Sequence, residues 1–159
     1  RLGPSALAAS GDAETSADAL YACLLDKVQN AESVRLAALR GICSLLASRN
    51  GVAIVLADPA RLPSLVGKLA EFLKKANRRI SVAAIIGIER CVQLAPVSAL
   101  SALAGGAEAP AVSACREASK ACLGEVDMQL TRRALQMQTR VLSRTCELAA
   151  SGDTKAAGA

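Results

Sequence analysis

The stretch SVRLAALRGICSLL, residues 33–46, decides the fold. Its apolar positions Val34, Ala38, Leu39, Ile42, Leu45 and Leu46 recur at helical spacing, which predicts an amphipathic helix over about Ser33–Ala47 with these side chains inward. The pattern then returns further along the chain. Val34, Ala38, Leu39, Gly41, Leu45 and Leu46 reappear as Ile80, Ala84, Ile85, Gly87, Cys91 and Val92, at a constant offset of 46. A third version, Leu130, Ala134, Leu135, Val141 and Leu142, follows after a further 50. Each time an apolar residue is followed four positions on by Ala and then at once by a larger aliphatic. Four residues is just over one helical turn, so the first residue and the Ala share a face. The small Ala leaves room for a neighbouring helix.

Working outward, each of these helices has a partner before it. Ser16 can cap a helix over about Ala17–Val28, ended by Asn30. Pro63 suits the first turn of a helix over about Leu62–Lys75, with Leu62, Leu65, Val66, Leu69 and Phe72 or Leu73 inward. Arg78–Leu94 follows it, stopped by Pro96, with short helical pieces over Val97–Leu103. Pro110 opens a helix to about Leu123, and Asp127 caps the last one, about Met128–Ala149. The helix–turn–helix rhythm occurs three times, at the period of HEAT or armadillo units. Ser33-Val34-Arg35 followed by Ala38 looks like the start of the second helix of a HEAT unit. The expected fold is all-α: an α-α superhelix fragment of about three hairpins, at roughly 16–57, 58–104 and 108–149. Residues 1–15 are expected to be a flexible N-terminal segment, and 150–159 a disordered tail. A non-repetitive bundle of Ala-rich helices is the alternative.

Composition points the same way. The chain is 52% hydrophobic with one Phe, one Tyr and no Trp, so Ala, Leu, Val and Ile must form the core. Ala and Leu lose little side-chain freedom in a helix, whereas a sheet of this size draws more on aromatic and β-branched residues. No run of about 18 uncharged apolar residues appears, which argues against a membrane span. The opening residues do not begin with Met and read as the middle of something, so the chain is expected to be an internal piece of a longer protein.

The chemistry-bearing inventory is thin. With no His, Ser-His and Cys-His nucleophile pairs are excluded. No phosphate-cradling or dinucleotide-binding glycine loop occurs. Cys23, Cys43, Cys91, Cys115, Cys122 and Cys146 contain no C-x-x-C pair, so no zinc site is expected. They read as small buried apolar residues kept reduced in the cytoplasm or nucleus. The expectation is no catalytic residue, no cofactor, no metal and no small-molecule substrate.

Charge is more informative. The net charge is +5, and residues 58–95 carry seven Lys/Arg against three Asp/Glu. Lys74, Lys75, Arg78 and Arg79 bracket one turn, and Arg90 lies on the helix that follows. Arg132, Arg133, Arg140 and Arg144 lie on the last helix, with Arg133, Arg140 and Arg144 at i, i+7 and i+11 on one stripe. Such groups either form a solvated face or anchor acidic side chains of a protein partner, for which Arg is well suited. The candidate partner contacts are Lys74, Lys75, Arg78, Arg79, Arg90, Arg133, Arg140 and Arg144. One Phe and one Tyr cannot supply stacking platforms, which argues against nucleic acid.

Two stretches carry a family resemblance. Asp58-Pro59-Ala60-Arg61-Leu62-Pro63-Ser64-Leu65, then Leu69-Ala70-Glu71-Phe72-Leu73-Lys74-Lys75-Ala76-Asn77-Arg78-Arg79, resembles a segment of the cullin-associated and neddylation-dissociated proteins. Glu125-Val126-Asp127-Met128, leading into a helix with Ala134 and Leu142, is similar to the start of that family's next HEAT unit. The resemblance covers roughly residues 20–148. It implies a large non-enzymatic α-solenoid that wraps a cullin–RING ubiquitin ligase scaffold, sequesters unneddylated cullins and promotes exchange of substrate receptors, as in SCF complex assembly. No short motif transfers contact residues. The rival expectations are a nuclear-transport or cargo adaptor, a nucleic-acid-binding helical array and a structural spacer. A cut repeat array exposes faces that neighbours covered, so self-association of the chain is expected.

Overall fold

A computed structural model describes residues 31–48, 61–74, 77–123 and 127–151. The chain divides into two compact units, Arg1–Asp58 and Pro59–Ala159. The first contains α1, Glu32–Ala47. Ala38, Leu39, Ile42 and Leu46 are its buried residues, at i, i+1, i+4 and i+8. The helix expected over Ala17–Val28 lies outside the described residues.

The second unit contains α2 (Arg61–Glu71, tightening into a 3-10 turn at Phe72–Lys74), α3 (Arg78–Leu94), α4 (Val97–Ala104), α5 (Pro110–Leu123) and α6 (Met128–Ala150). The described residues are mostly helical, with no strand among them. The expected helices over 33–47, 62–75, 78–94, 97–103, 110–123 and 128–149 each correspond to an observed one. The helix of the last hairpin runs through Ala150 and ends in a turn at Ser151, so the first residues assigned to a disordered tail are ordered.

Packing in this unit is like on like. The two first helices, α2 and α5, lie against each other, and so do the two second helices, α3 and α6. Each first helix also packs on its own second helix, while α4 rests on α5 and α6. Two stacked hairpins of this kind are compatible with a piece of α-α superhelix. The reason is the distribution of apolar side chains. Leu62, Leu65, Val66, Leu69 and Ala70 form a wide buried stripe on α2, and the one Phe, Phe72, closes its end. On α5 the buried residues are the small Ala111, Ala114 and Ala118, against which a larger helix can sit closely.

Two arginines tie α3 to α6 at opposite ends. Arg78, in the first turn of α3, pairs with Asp127 at the start of α6 and donates to Gln129 Oε1 at 3.0 Å. Arg144, late in α6, donates to the carbonyl oxygen of Ala95 at the end of α3 and pairs with Glu147. Start therefore lies beside start and end beside end, so the second helices run in the same direction. That direction requires the intervening chain to travel back, which α4 and α5 provide.

The hairpin turns repeat in detail. Asn77 caps α3 with φ −113° and ψ 103°, its side chain accepting from Ile80 N. Fifty residues on, Asp127 caps α6 with φ −113° and ψ 100°, accepting from the backbone N–H groups of Gln129 and Leu130. The backbone bond from Leu130 leads in holding the Asp127 carboxyl below its ordinary value of 3.8. Burial opposes the shift, and the Gln129 N–H and the Arg78 guanidinium assist it. A carboxylate favoured in the folded state stabilises above 3.8, and that contribution is lost as pH falls through the folded value. Asp127→Asn keeps the capping oxygen and removes the charge. Wild type is expected to exceed it in thermal midpoint by a constant margin at neutral and mildly acidic pH, with the margin closing only below about 4. A margin that persists unchanged at the acid extreme would refute this linkage.

The alanines of the repeated pattern are all buried: Ala38 is 3% exposed, Ala84 is 0% and Ala134 is 3%. The residues beside them do not all follow. Leu39 and Ile85 are fully buried, but Leu135 is 57% exposed. Val92 is fully buried, but its counterpart Leu142 is 66% exposed. Val34, expected inward, lies at the surface because it sits in the first turn of α1. The two helices differ in how many of their faces are buried. Ser81, Ile85, Ile88 and Val92 give α3 a second buried stripe alongside Ile80, Ala84 and Cys91. On α6 only the first stripe, Leu130, Ala134, Met137 and Val141, is covered by described residues, with Leu148 beyond it.

Candidate protein-binding groove

An open groove of about 950 Å³ runs along the second helices of the stacked unit. Ten of its lining residues lie on α6, from Met128 to Ser143, and Glu89 of α3 forms the facing side. The register of α6 explains the lining. With Leu130, Ala134, Met137 and Val141 turned into the core, helical periodicity places Arg133 and Arg140 on one flank of α6, Leu135 towards the other, and Arg132 between them on the side away from the core.

Charge in the groove is one-sided. Arg132, Arg133 and Arg140 line it against the single carboxylate of Glu89. Arg133 donates to Gln136 Oε1 at 3.3 Å, an exchangeable contact within its own helix. A guanidinium keeps its charge throughout the physiological range and presents five donors in a planar fork. The arrangement can therefore hold carboxylates while offering apolar contact beside them.

The candidate contacts separate into distinct places. Arg133 and Arg140 are brought together in the groove, as their seven-residue spacing predicts. Arg132, on the same helix, joins them although it lies off the 133/140/144 stripe. Arg144 is drawn away: its side chain is 17% exposed, and it is committed to Ala95 and Glu147. Arg78 is committed to Asp127 and Gln129. Arg90 is exposed on α3, donating to Gln93 Oε1 at 3.0 Å, and Arg79 is exposed in the first turn of that helix. Lys74 ends the 3-10 turn on the surface. Its charge assists the hydrogen bond from Lys120 in holding the Glu117 carboxyl below its ordinary value. Lys75 lies outside the described residues.

The described cysteines lie in differing surroundings. Cys91 is buried in α3, as a small apolar residue would be, and burial pushes Cys43 and Cys115 up to about 11, which keeps them protonated and unreactive at neutral pH. Cys146 departs from the buried expectation, since it is exposed on α6. Cys23 lies outside the described residues. Among the described residues, no group of three His, Cys, Asp or Glu side chains could hold a metal ion. No described helix is long and apolar enough to cross a membrane.

No family model matches the chain, and neither a curated protein nor a solved structure matches it.

Proposed function

We propose that the chain is a non-enzymatic protein-binding scaffold that holds its partner along the second helices of stacked hairpins. The single observation that carries this reading is the groove of about 950 Å³ in which Arg132, Arg133 and Arg140 stand beside exposed Met128 and Leu135. Apolar contact area next to fixed cationic forks suits a protein surface that brings carboxylates with it. Stacked helical units also gain affinity by spreading many modest contacts over an extended face. In its specific form the partner is a cullin–RING ligase scaffold in the cytoplasm or nucleus, a reading that rests on the resemblance of residues 58–79 and 125–142.

A pull-down with the purified chain as bait and an unneddylated cullin as prey tests both levels. Retention is expected, with at least a tenfold loss in the double charge reversal Arg133→Glu, Arg140→Glu, because arginines near the middle of an interface carry more than their share of affinity. Cullin that passes through unretained removes the specific partner. Retention that ignores the reversal removes the groove.

A further inference from the structure

The part of the groove that α6 forms carries a polar row. Gln129, Gln136 and Ser143 fall at i, i+7 and i+14 and line it. At a rise of about 1.5 Å per residue the row is about 21 Å long. Helical periodicity sets Arg132 on one side of this row and Arg133 and Arg140 on the other. Both glutamines have their amide oxygens engaged. Arg78 donates to Gln129 Oε1 at 3.0 Å, and Arg133 donates to Gln136 Oε1 at 3.3 Å. Each amide is thereby left with its NH2 end, a donor. Arg132 and Arg140 have no hydrogen-bond or ion-pair partner among the described residues. Against these donors the lining brings one carboxylate, Glu89.

A row of donors calls for an occupant with free acceptors. The carbonyl groups of an α-helix are spent within it, and a helix docks by burying an apolar stripe, which this row lacks. An extended segment keeps its backbone carbonyls free and can add carboxylates to them. Polyproline II geometry also fits the spacing. Three residues make one turn at a rise of about 3.1 Å each, so side chains three apart lie on one side, about 9 Å from each other. Arg133 and Arg140 are about 10.5 Å apart along α6. The phosphates of a nucleic acid are acceptors too, but no aromatic side chain lines the groove to stack its bases.

We infer that the groove receives an extended acidic segment of the partner in polyproline II geometry, with a carboxylate at every third residue. The carboxylates meet Arg132, Arg133 and Arg140, and the backbone carbonyls accept from the amides of Gln129 and Gln136. This deepens the scaffold reading above and rests on it.

The test titrates the full chain into labelled peptides. The first, of about nine residues, repeats Glu-Pro-Pro, in which proline enforces the extended form and bars a helix. The second has Lys in place of Glu. The third is an Ala-rich helix of about 18 residues with Glu at every seventh position, which matches the arginine spacing in helical form. Fluorescence anisotropy is expected to show saturable binding of the first, at least tenfold tighter than either of the others. Arg132→Glu with Arg140→Glu is expected to reverse the order of the Glu and Lys repeats, which a merely unfolded variant would not do. Gln136→Leu leaves every charge in place and is expected to weaken the Glu repeat about threefold while leaving the far-ultraviolet circular dichroism unchanged. Equal binding of the Glu and Lys repeats, binding of neither, a Glu helix that binds as tightly as the extended repeat, an affinity unmoved by Gln136→Leu, or an order that survives the reversal overturns the inference. So does tighter binding of a single-stranded oligothymidine of equal charge, or a dimer in sedimentation velocity that the charge reversal dissociates, since nucleic acid or a second copy would then be the occupant. If every peptide is ignored while a cullin is retained through Arg133 and Arg140, the extended occupant falls and the scaffold reading stands.

Discussion

Replacing Ile85 with Ala is expected to cost about 2–5 kcal/mol of folding stability, whereas the same truncation at Leu135 costs within about 0.5 kcal/mol. The two residues stand 50 apart, each directly after the repeat alanine of its helix. Their surroundings differ completely: Ile85 is 0% exposed and Leu135 57%. Truncating Ile85 removes buried methylene groups and leaves a cavity beside the buried Ile88 and Val92 of the same helix. Truncating Leu135 removes atoms that already meet water and leaves no cavity. Urea denaturation of the two variants, read by circular dichroism, measures the difference. Similar losses would mean that α3 and α6 have the same neighbours in solution, and that the exposed edge on α6 is covered there.

Enlarging the repeat alanine is expected to be the second large effect. Ala84 is fully buried on the helix that packs most extensively on α6. Ala84→Leu adds three carbons where there is no free space, so side chains must leave their rotamers or the helices must part, at a cost of about 1–3 kcal/mol. Ala134→Leu is expected to behave alike, because Ala134 is 3% exposed at the equivalent place on α6. Ala149→Leu, on an exposed position of the same helix, serves as control and is expected to be near neutral. Leu keeps a high helix propensity at all three sites, so a loss confined to Ala84 and Ala134 reports packing alone. Tolerance of Leu at both positions would show that the alanines are compositional and that no close approach depends on them.

The helices themselves were legible because their signals are local. The bounds of α3 follow from Asn77 and Pro96, and those of α5 from Pro110, each a residue that acts on its own backbone or the next turn. The repeat register was legible for the same reason: a buried Ala needs a small side chain at one face of one helix, and Ala38, Ala84 and Ala134 are all buried. The groove was legible in part. Arg133 and Arg140 share it, as seven-residue spacing implies. Their stripe-mate Arg144 does not, because it donates to the carbonyl oxygen of Ala95, a residue 49 positions earlier. No periodicity within α6 reports where the end of α3 will be.

By itself, then, the chain's order of residues determined the helices, their caps, the alanine notches and the sign of the charge on the last helix. All of these depend on contacts within about one turn. The tertiary structure alone decided which of two equivalent aliphatics meets a neighbour and which meets water, and which arginines become ties between hairpins rather than open cations. Ile85 and Leu135 occupy the same register, yet burial belongs to the stack: a face is hidden only when another helix lies on it. Arg78, Arg140 and Arg144 are the same residue type, and what separates them is the arrival of Asp127, a groove or a helix end across the packing interface.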